Sequence, residues 1–393
     1  MNRIDGLPLQ AVVFLVAAAA FSSVYITQPV LPVLAGEFGA TAFEVSLTVS
    51  AVILGIAISI LPFGILSDHA PVHRILLAGG LIVALCCLFA ALTHSLWTLV
   101  AVRFIQGLFI PTLTTCMVTY LARSLPAHKL NVVMGSYVSA TVAGGLGGRL
   151  LGGWLHPPAH WRYAFVTSAV LIVIATLVAS RRLREPAPAV QHPGSATRRS
   201  ELDLWAMLAR PDLLRLFLVA FASFFVFSSV FNFLPFYLAA PPVSLPLQFI
   251  TALYLTYVIG IVIGPLAGRA NNRFGSGLTM AGGALLLGMG LALSLLPSLA
   301  AISLALAAIC AGYFGVHASA VGALNLRLSS GRGRANALYV LFYYAGGFSG
   351  ITVSGFAYAQ GGWTAVVMVC AVMLAVPVAS GLVEHRAKNA GSE

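Results

Sequence analysis

The chain predicts an all-α membrane protein of twelve transmembrane helices, arranged as two six-helix pseudo-symmetric bundles, and three observations predict it. Its 393 residues are 60% hydrophobic and only 8% charged, too few polar side chains to cover a water-facing surface. The apolar residues fall in continuous runs, each able to cross the roughly 30 Å of hydrocarbon as a helix of about 20 residues. Those runs divide into two sets of six in which glycine and tryptophan positions recur. Strands of a membrane barrel would instead show about ten residues of alternating polarity.

The predicted spans cover residues 9–34, 44–66, 75–93, 96–122, 130–155 and 162–180, then 213–238, 247–267, 278–296, 299–325, 335–358 and 363–383. The first is too long for a signal-peptide core and lacks a small-residue cleavage site before the second, so it is read as a retained helix. It carries Tyr25 and Gln28 and is interrupted by Pro29 and Pro32. The second contains Pro62, the third Cys86 and Cys87, and the fourth Arg103, Gln106, Pro111 and Cys116. In the fifth, Gly144, Gly148 and Gly152 recur every four residues and so form a flat stripe on one helix face, where another backbone can approach closely. Arg149 lies among them. The sixth span is featureless and apolar. A hydrophilic stretch rich in Pro and Arg follows, read as a solvated tether that meets anionic headgroups through its arginines. The predicted organisation is a first bundle at 1–180, a cytoplasmic linker at 181–211 and a second bundle at 212–393. In the second half the seventh span holds Asn232, Pro235 and Tyr237, the eighth Tyr254, Tyr257 and Pro265. The tenth holds Cys310 and His317, and the twelfth Cys370 and Pro377. The prolines remove backbone hydrogen bonds and permit kinks.

Duplication is countable. At an offset of 202, Gly144, Gly148 and Gly152 fall on Gly346, Gly350 and Ser354, and Trp161 falls on Trp363; at an offset of 200, Gly64 falls on Gly264.

Basic residues set the orientation, because short cytoplasmic loops retain Lys and Arg. With the N-terminus inside, 18 of the 21 cations are cytoplasmic, Arg162 is in an outer connection, and Arg103 and Arg149 are within spans. Both termini are then cytoplasmic, and the net charge of +11 reflects topology, so nucleic acid is not an expected partner. The five cysteines sit inside spans without metal-ligand spacing, and no nucleophile with a base, phosphate loop or metal cluster is present. Enzyme chemistry, cofactors and metals are therefore not expected. A multi-pass monomer in a membrane is.

Two stretches carry a family resemblance. GILSDHAPVHRIL, Gly64 to Leu76, resembles the loop between the second and third spans of the major facilitator superfamily, with Gly64 and Asp68 in place. His69, Pro71, Val72 and His73 stand where that family has other residues, before Arg74. RFIQG, Arg103 to Gly107, matches the family's fourth-span motif. A third stretch, Ala143 to Phe165, resembles the fifth span of the drug:proton antiporter and arabinose-efflux-like branch of bacterial inner-membrane permeases. The resemblance implies alternating access, usually driven by a proton gradient. It also implies that the glycine stripe is a sliding seam, pairing the fifth span with the eighth and the second with the eleventh. Ordinary helix packing is the other reading of the same stripe.

Candidate residues follow from burial cost. Arg103 and Arg149 each lie roughly 10 Å below the outer surface, counting about 1.5 Å per residue. A buried arginine either bonds span carbonyls or Gln106 structurally, or serves binding or coupling. Both readings stay open. Asp68, paired with Arg74 or Arg123, is the candidate cytoplasmic latch, or else a solvent-exposed topology residue. All ten carboxylates lie outside the spans or at their edges. Proton exchange would use Glu37, Glu44, Asp68 or the imidazole of His317, whose unperturbed pKa is about 6.5. A positive interior without buried carboxylates favours anionic or neutral polar small molecules. Tyr25, Gln28, Asn232, Tyr237, Tyr254 and Tyr257 are the other polar candidates, with Phe231 and Phe233 as apolar walls.

Overall fold

The computed structural model describes residues 8–155, 160–183, 204–328 and 332–390. Most of the predicted linker lies outside the described residues, as does the side chain of Asp68, so the proposed Asp68 latch does too. Within them the fold is all-α, without strands.

The first half runs α1 (Leu9–Tyr25), α2 (Leu31–Phe38), α3 (Ala42–His69), α4 (Val72–Leu92), α5 (Leu96–Leu113), α6 (Thr115–Ser124), α7 (Ala127–Leu150) with a π-helical turn at Leu151–Leu155, and α8 (Trp161–Arg182). The second runs α9 (Pro211–Ala239), α10 (Leu247–Leu253), a 3-10 turn at Tyr254–Val258, α11 (Ile259–Phe274), α12 (Ser276–Leu293), α13 (Leu299–Leu326), α14 (Arg332–Met373) and α15 (Ala375–Ala390).

Several spans are broken, two of them near the prolines that interrupt them and two without a proline at the break. The first is two helices joined by a turn over 26–30, closed by Gln28 N–H to the Tyr25 carbonyl at 3.2 Å and Val30 N–H to that of Thr27 at 3.1 Å. Pro29 has no N–H with which to continue α1, whereas Pro32 sits in the first turn of α2, where none is needed. The fourth span passes Pro111 and breaks at Thr114. The fifth ends in the π turn, and the eighth changes from α to 3-10 and back. The break expected between the last two spans falls inside the stretch labelled α14, where two helices meet at the non-helical Gly361 (φ −143°) and Gly362 (φ 59°, ψ −148°). Only glycine adopts the Gly362 conformation without strain.

Among the described residues, nine helical stretches are long and apolar enough to cross a bilayer. The last of them, Gly333–Arg386, has 54 residues, and α1 is a shorter apolar helix. Exposed apolar side chains such as Leu92, Met289 and Leu304 are what lipid rather than water would cover. This is a multi-pass membrane protein.

The chain divides into two compact units, Met1–Val190 with Leu245–Leu255, and Gln191–Ser244 with Thr256–Glu393. In the first, α1 packs on α7, α3 on α5 and α4 on α8. In the second, α9 packs on α14, α11 on α13 and α12 on α15. In the predicted span order these are the same three pairings, so the duplication seen in the glycine spacing is also a duplication of packing.

The glycine stripe explains the first pairing. A Cβ on Gly144 would stand 2.7 Å from Ala18 Cα, one on Gly148 2.7 Å from the Ser22 carbonyl carbon, and one on Gly152 3.1 Å from that of Ile26. At their counterparts, a Cβ on Gly346 would stand 2.7 Å from Phe221 Cα and one on Gly350 2.8 Å from Phe225 Cα. The stripe therefore seats α7 on α1 inside one unit, and its copy seats α14 on α9 inside the other.

Candidate functional site

Arg103 is fully buried on α5. Its Nε donates to the Thr48 carbonyl of α3 at 3.1 Å, and Nη1 to the Ser23 carbonyl at 2.8 Å and to Gln106 Oε1 at 2.6 Å. Nη2 donates to the Val24 carbonyl. Ser23 and Val24 lie in the last turn of α1, where carbonyls have lost their helical partners because the chain turns at 26–30. The guanidinium thus caps a broken helix while tying it to two others, and the Phe165 ring lies 5.4 Å from its centre. Gln106, equally buried, donates its amide to Cys87 Sγ at 3.2 Å. The last residue of this motif, Gly107, lets α5 touch α3: a Cβ there would meet Val52 Cα at 2.9 Å. Facing it, a Cβ on Gly55 would meet the Phe104 carbonyl at 2.6 Å. Gly55 was not singled out from sequence, since its spacing fits no motif.

Arg149 gathers the other first-half candidates. It is 1% exposed on α7, and its Nε donates to Gln28 Oε1 at 2.8 Å in the turn after α1. Nη1 donates to the Gly145 carbonyl at 2.6 Å, one turn back on its own helix. The guanidinium lies 4.1 Å from the Tyr25 ring and 5.3 Å from that of Tyr254, both within cation–π range. Arg149, Tyr25, Gln28 and Tyr254 are therefore one constellation, assembled because α1 breaks just after Tyr25. It lies in the first unit, which includes Leu245–Leu255. The same segment is held there by Trp154 Nε1, which donates to the Gln248 carbonyl at 2.7 Å.

Outside the spans, Glu37 of α2 receives Arg162 at 2.6 Å and Trp161 Nε1 at 2.7 Å. Arg162 also donates to the Thr93 carbonyl at the end of α4, at 2.9 Å. This accounts for the one cation in a predicted outer connection: it has a carboxylate partner. Glu44 is a helix cap, its Oε2 accepting from Thr41 N–H at 2.8 Å.

Of the remaining gating candidates, two arginines and a glycine are described. Arg123 donates to the Ser67 carbonyl, in the last turn of α3, at 2.8 Å. Arg74 is exposed at the start of α4, and a Cβ on Gly64 would make only an ordinary 3.9 Å contact with Thr115. In the second unit an ion cluster was missed. Arg215 of α9 reaches Glu384 of α15 at 3.0 Å, Arg327 pairs with the same carboxylate, and Arg210 holds Asp212 at 2.8 Å. Nothing local in the sequence links Glu384 to arginines 169 and 57 residues away.

Of the second-half candidates, His317 of α13 shares a hydrogen bond between Nδ1 and the Tyr339 hydroxyl at 3.1 Å. Tyr257 packs its ring 4.9 Å from Phe231 and 5.2 Å from Phe227, whereas Tyr254, three residues earlier, belongs to the other unit. Tyr237 stacks on Trp363 at 5.0 Å and 9°, and Phe233 on Tyr358 at 5.4 Å. Asn232 is fully buried in α9. So His317 and Tyr257 share an aromatic neighbourhood, and Tyr237 does not join it. Its other members, Phe224, Tyr313, Tyr339 and Tyr343, were not singled out, because aromatic residues in apolar helices carry no distinguishing signal.

Two units of like helix pairing, with buried arginines in one and an imidazole among phenols in the other, define a membrane protein of duplicated helical design. Residues 13–264 match the sequence model of the Major Facilitator Superfamily, and the chain belongs to that family. It is 28% identical over 361 residues to YybF, an uncharacterized MFS-type transporter of Bacillus subtilis, across 91% of this chain and 88% of that one. It is 28% identical over 383 residues to the inner membrane transport protein YnfM of Escherichia coli, across 96% and 90%. In fold it is similar to the crystal structure of a bacterial homolog of the human lysosomal transporter Spinster, with a TM-score of 0.78 at 16% identity over 98% of both chains.

Proposed function

We propose that the protein is a secondary active transporter that exports small anionic or neutral polar molecules across a bacterial inner membrane by alternating access, in exchange for protons. The observation that carries this reading is the charge of the first unit's interior. Arg103 and Arg149 are both buried, and the hydrogen bonds described above run from them to carbonyls and amides. A cation balanced by neutral dipoles keeps a positive potential that attracts anions and repels lipophilic cations. Arg103 is occupied as a cap, so Arg149, with its two ring faces and Gln28, is the group assigned to substrate or coupling. The export direction rests on the resemblance of the fourth- and fifth-span motifs to the efflux branch. The protein acts as a monomer with both termini cytoplasmic, and it carries out no chemical conversion.

Uptake, or uncoupled facilitated diffusion of a sugar or other polar metabolite, is favoured by one observation. Among the described residues the carboxylates near helices, Glu37, Glu44, Asp212 and Glu384, lie toward helix ends and are engaged as caps or ion pairs. Proton exchange would then fall to Asp68 or His317.

Reconstituted protein separates the readings. Purified chain in liposomes, given gluconate, arabinose or tetraphenylphosphonium, is expected to show counterflow of the anion or the sugar but not of the cation. Uphill movement should vanish when a protonophore collapses the proton gradient, and Arg149→Ala should reduce it at least about tenfold. Counterflow indifferent to the gradient establishes the facilitator, and efficient tetraphenylphosphonium transport overturns the charge argument.

A further inference from the structure

The second unit holds a ring cluster whose polar edges meet. Phe224 of α9 stacks on Tyr343 of α14, centroids 3.7 Å apart and planes at 10°, and Phe227 stacks on Tyr313 of α13 at 3.8 Å and 17°. The two phenols touch at their far ends, Tyr313 donating to the Tyr343 hydroxyl at 2.8 Å. One turn along α13, the His317 ring lies nearly parallel to that of Tyr313, at 18° and 6.0 Å, with Tyr343 5.5 Å away. Its Nδ1 is taken by the Tyr339 hydroxyl at 3.1 Å, which fixes the ring and leaves Nε2 without a hydrogen-bond partner among the described residues.

The direction in which Nε2 is offered follows from helix geometry. Phe314, His317 and Val321 form a partly exposed stripe on α13. Leu304, 64% exposed and marking the lipid side, lies about 140° round the helix from His317 at about 100° per residue. The stripe therefore opens away from lipid. An imidazole nitrogen lacking a protein partner persists at membrane depth only where it lines a space open to water or to a ligand. In the tautomer in which the Tyr339 hydroxyl donates to Nδ1, the ring proton is on Nε2 and His317 is a donor toward that space.

We propose that this face of the second unit binds a planar aromatic ring bearing a hydrogen-bond acceptor such as a carboxylate or carbonyl. The ring lies against Tyr343 and Phe314 as one more member of the stack, and its acceptor takes the Nε2 proton. Offset-stacked rings attract one another beyond the burial of their area. The proposal rests on the transporter reading and narrows its substrate class from anionic or neutral polar molecules to aromatic ones.

Benzoate and cyclohexanecarboxylate share charge and nearly share size, and differ in planarity and π-face. Equilibrium dialysis of both with the full-length, detergent-purified protein is expected to give at least about tenfold tighter binding of benzoate. His317→Leu should erase most of that preference, and His317→Gln, which keeps an N–H donor, should restore part of it. Monodispersity on size exclusion checks that each variant folds. If His317→Leu does not fold, Tyr339→Phe replaces it: the ring stays, the hydrogen bond to Nδ1 is lost, and benzoate binding should fall several-fold. Equal binding of the two acids, or benzoate binding unchanged in both His317→Leu and Tyr339→Phe, overturns the proposal. Benzoate binding through His317 without any counterflow would keep the site and sink the transport reading. Gluconate counterflow without a benzoate preference would sink the site and keep transport.

Discussion

Arg103 shows how much of a buried charge's meaning is positional. Its neighbours in sequence already mark it as unusual, since a guanidinium in an apolar run must find acceptors. Which acceptors it finds depends on α1 ending at Tyr25, and that ending frees the Ser23 and Val24 carbonyls. Lysine carries the same charge but lacks the planar fork that meets Thr48, Ser23, Val24 and Gln106 together. Arg103→Lys is therefore expected to cost about 3 kcal/mol or more, because hydrogen bonds to a charged group contribute roughly 1.5–3 kcal/mol each. Thermal unfolding of the purified protein in detergent measures this, and an unchanged midpoint would mean that the cap is dispensable. Arg149 was open to the same two interpretations. The structure brings it to Tyr25, Gln28 and Tyr254, which no spacing rule could have done, because they come from three separate stretches of chain.

At the scale of elements, the glycine seams decide which helices touch. Gly148 has the Ser22 backbone against it, whereas a Cβ on Gly147, its neighbour on the same helix, would meet nothing within 4 Å. Gly148→Ala should force α7 away from α1 and cost about 1–3 kcal/mol, the usual penalty of overpacking. Gly147→Ala should be neutral or gain up to about 1 kcal/mol from helix propensity. Equal unfolding midpoints for the two variants would remove the seam from the account of stability. The four-residue spacing was legible, because a period near 3.6 must place those glycines on one face. Their partner was not, because every apolar helix offers an apolar face and only the assembled bundle selects α1. Helix breaks were partly legible in the same way. Prolines marked the first and fourth spans as interrupted, but Pro62, Pro235 and Pro265 are accommodated inside α3, α9 and α11. The π turn at Leu151–Leu155 and the 3-10 turn at Tyr254–Val258 contain no proline at all.

For the molecule as a whole, topology is the strongest expectation the charges give. Alkaline phosphatase fused after Arg386 should be inactive and one inserted between His94 and Ser95 active, because cations cluster on the side predicted to be cytoplasmic. The opposite pattern would invert the orientation. Fold class, duplication and the presence of two buried arginines were determined by the sequence itself. Hydrocarbon admits only chains that satisfy their own backbone, so a run of apolar residues in a bilayer has few alternatives to a helix. Only the tertiary structure decided the rest: that Arg103 caps α1, that Arg149 gathers Tyr25, Gln28 and Tyr254, that Glu384 meets Arg215 and Arg327, and that His317 sits among stacked rings. Those contacts join residues from dozens to well over a hundred positions apart. Apolar helices carry almost no local pattern that specifies a partner, and close packing at small residues supplies it only once the bundle has formed.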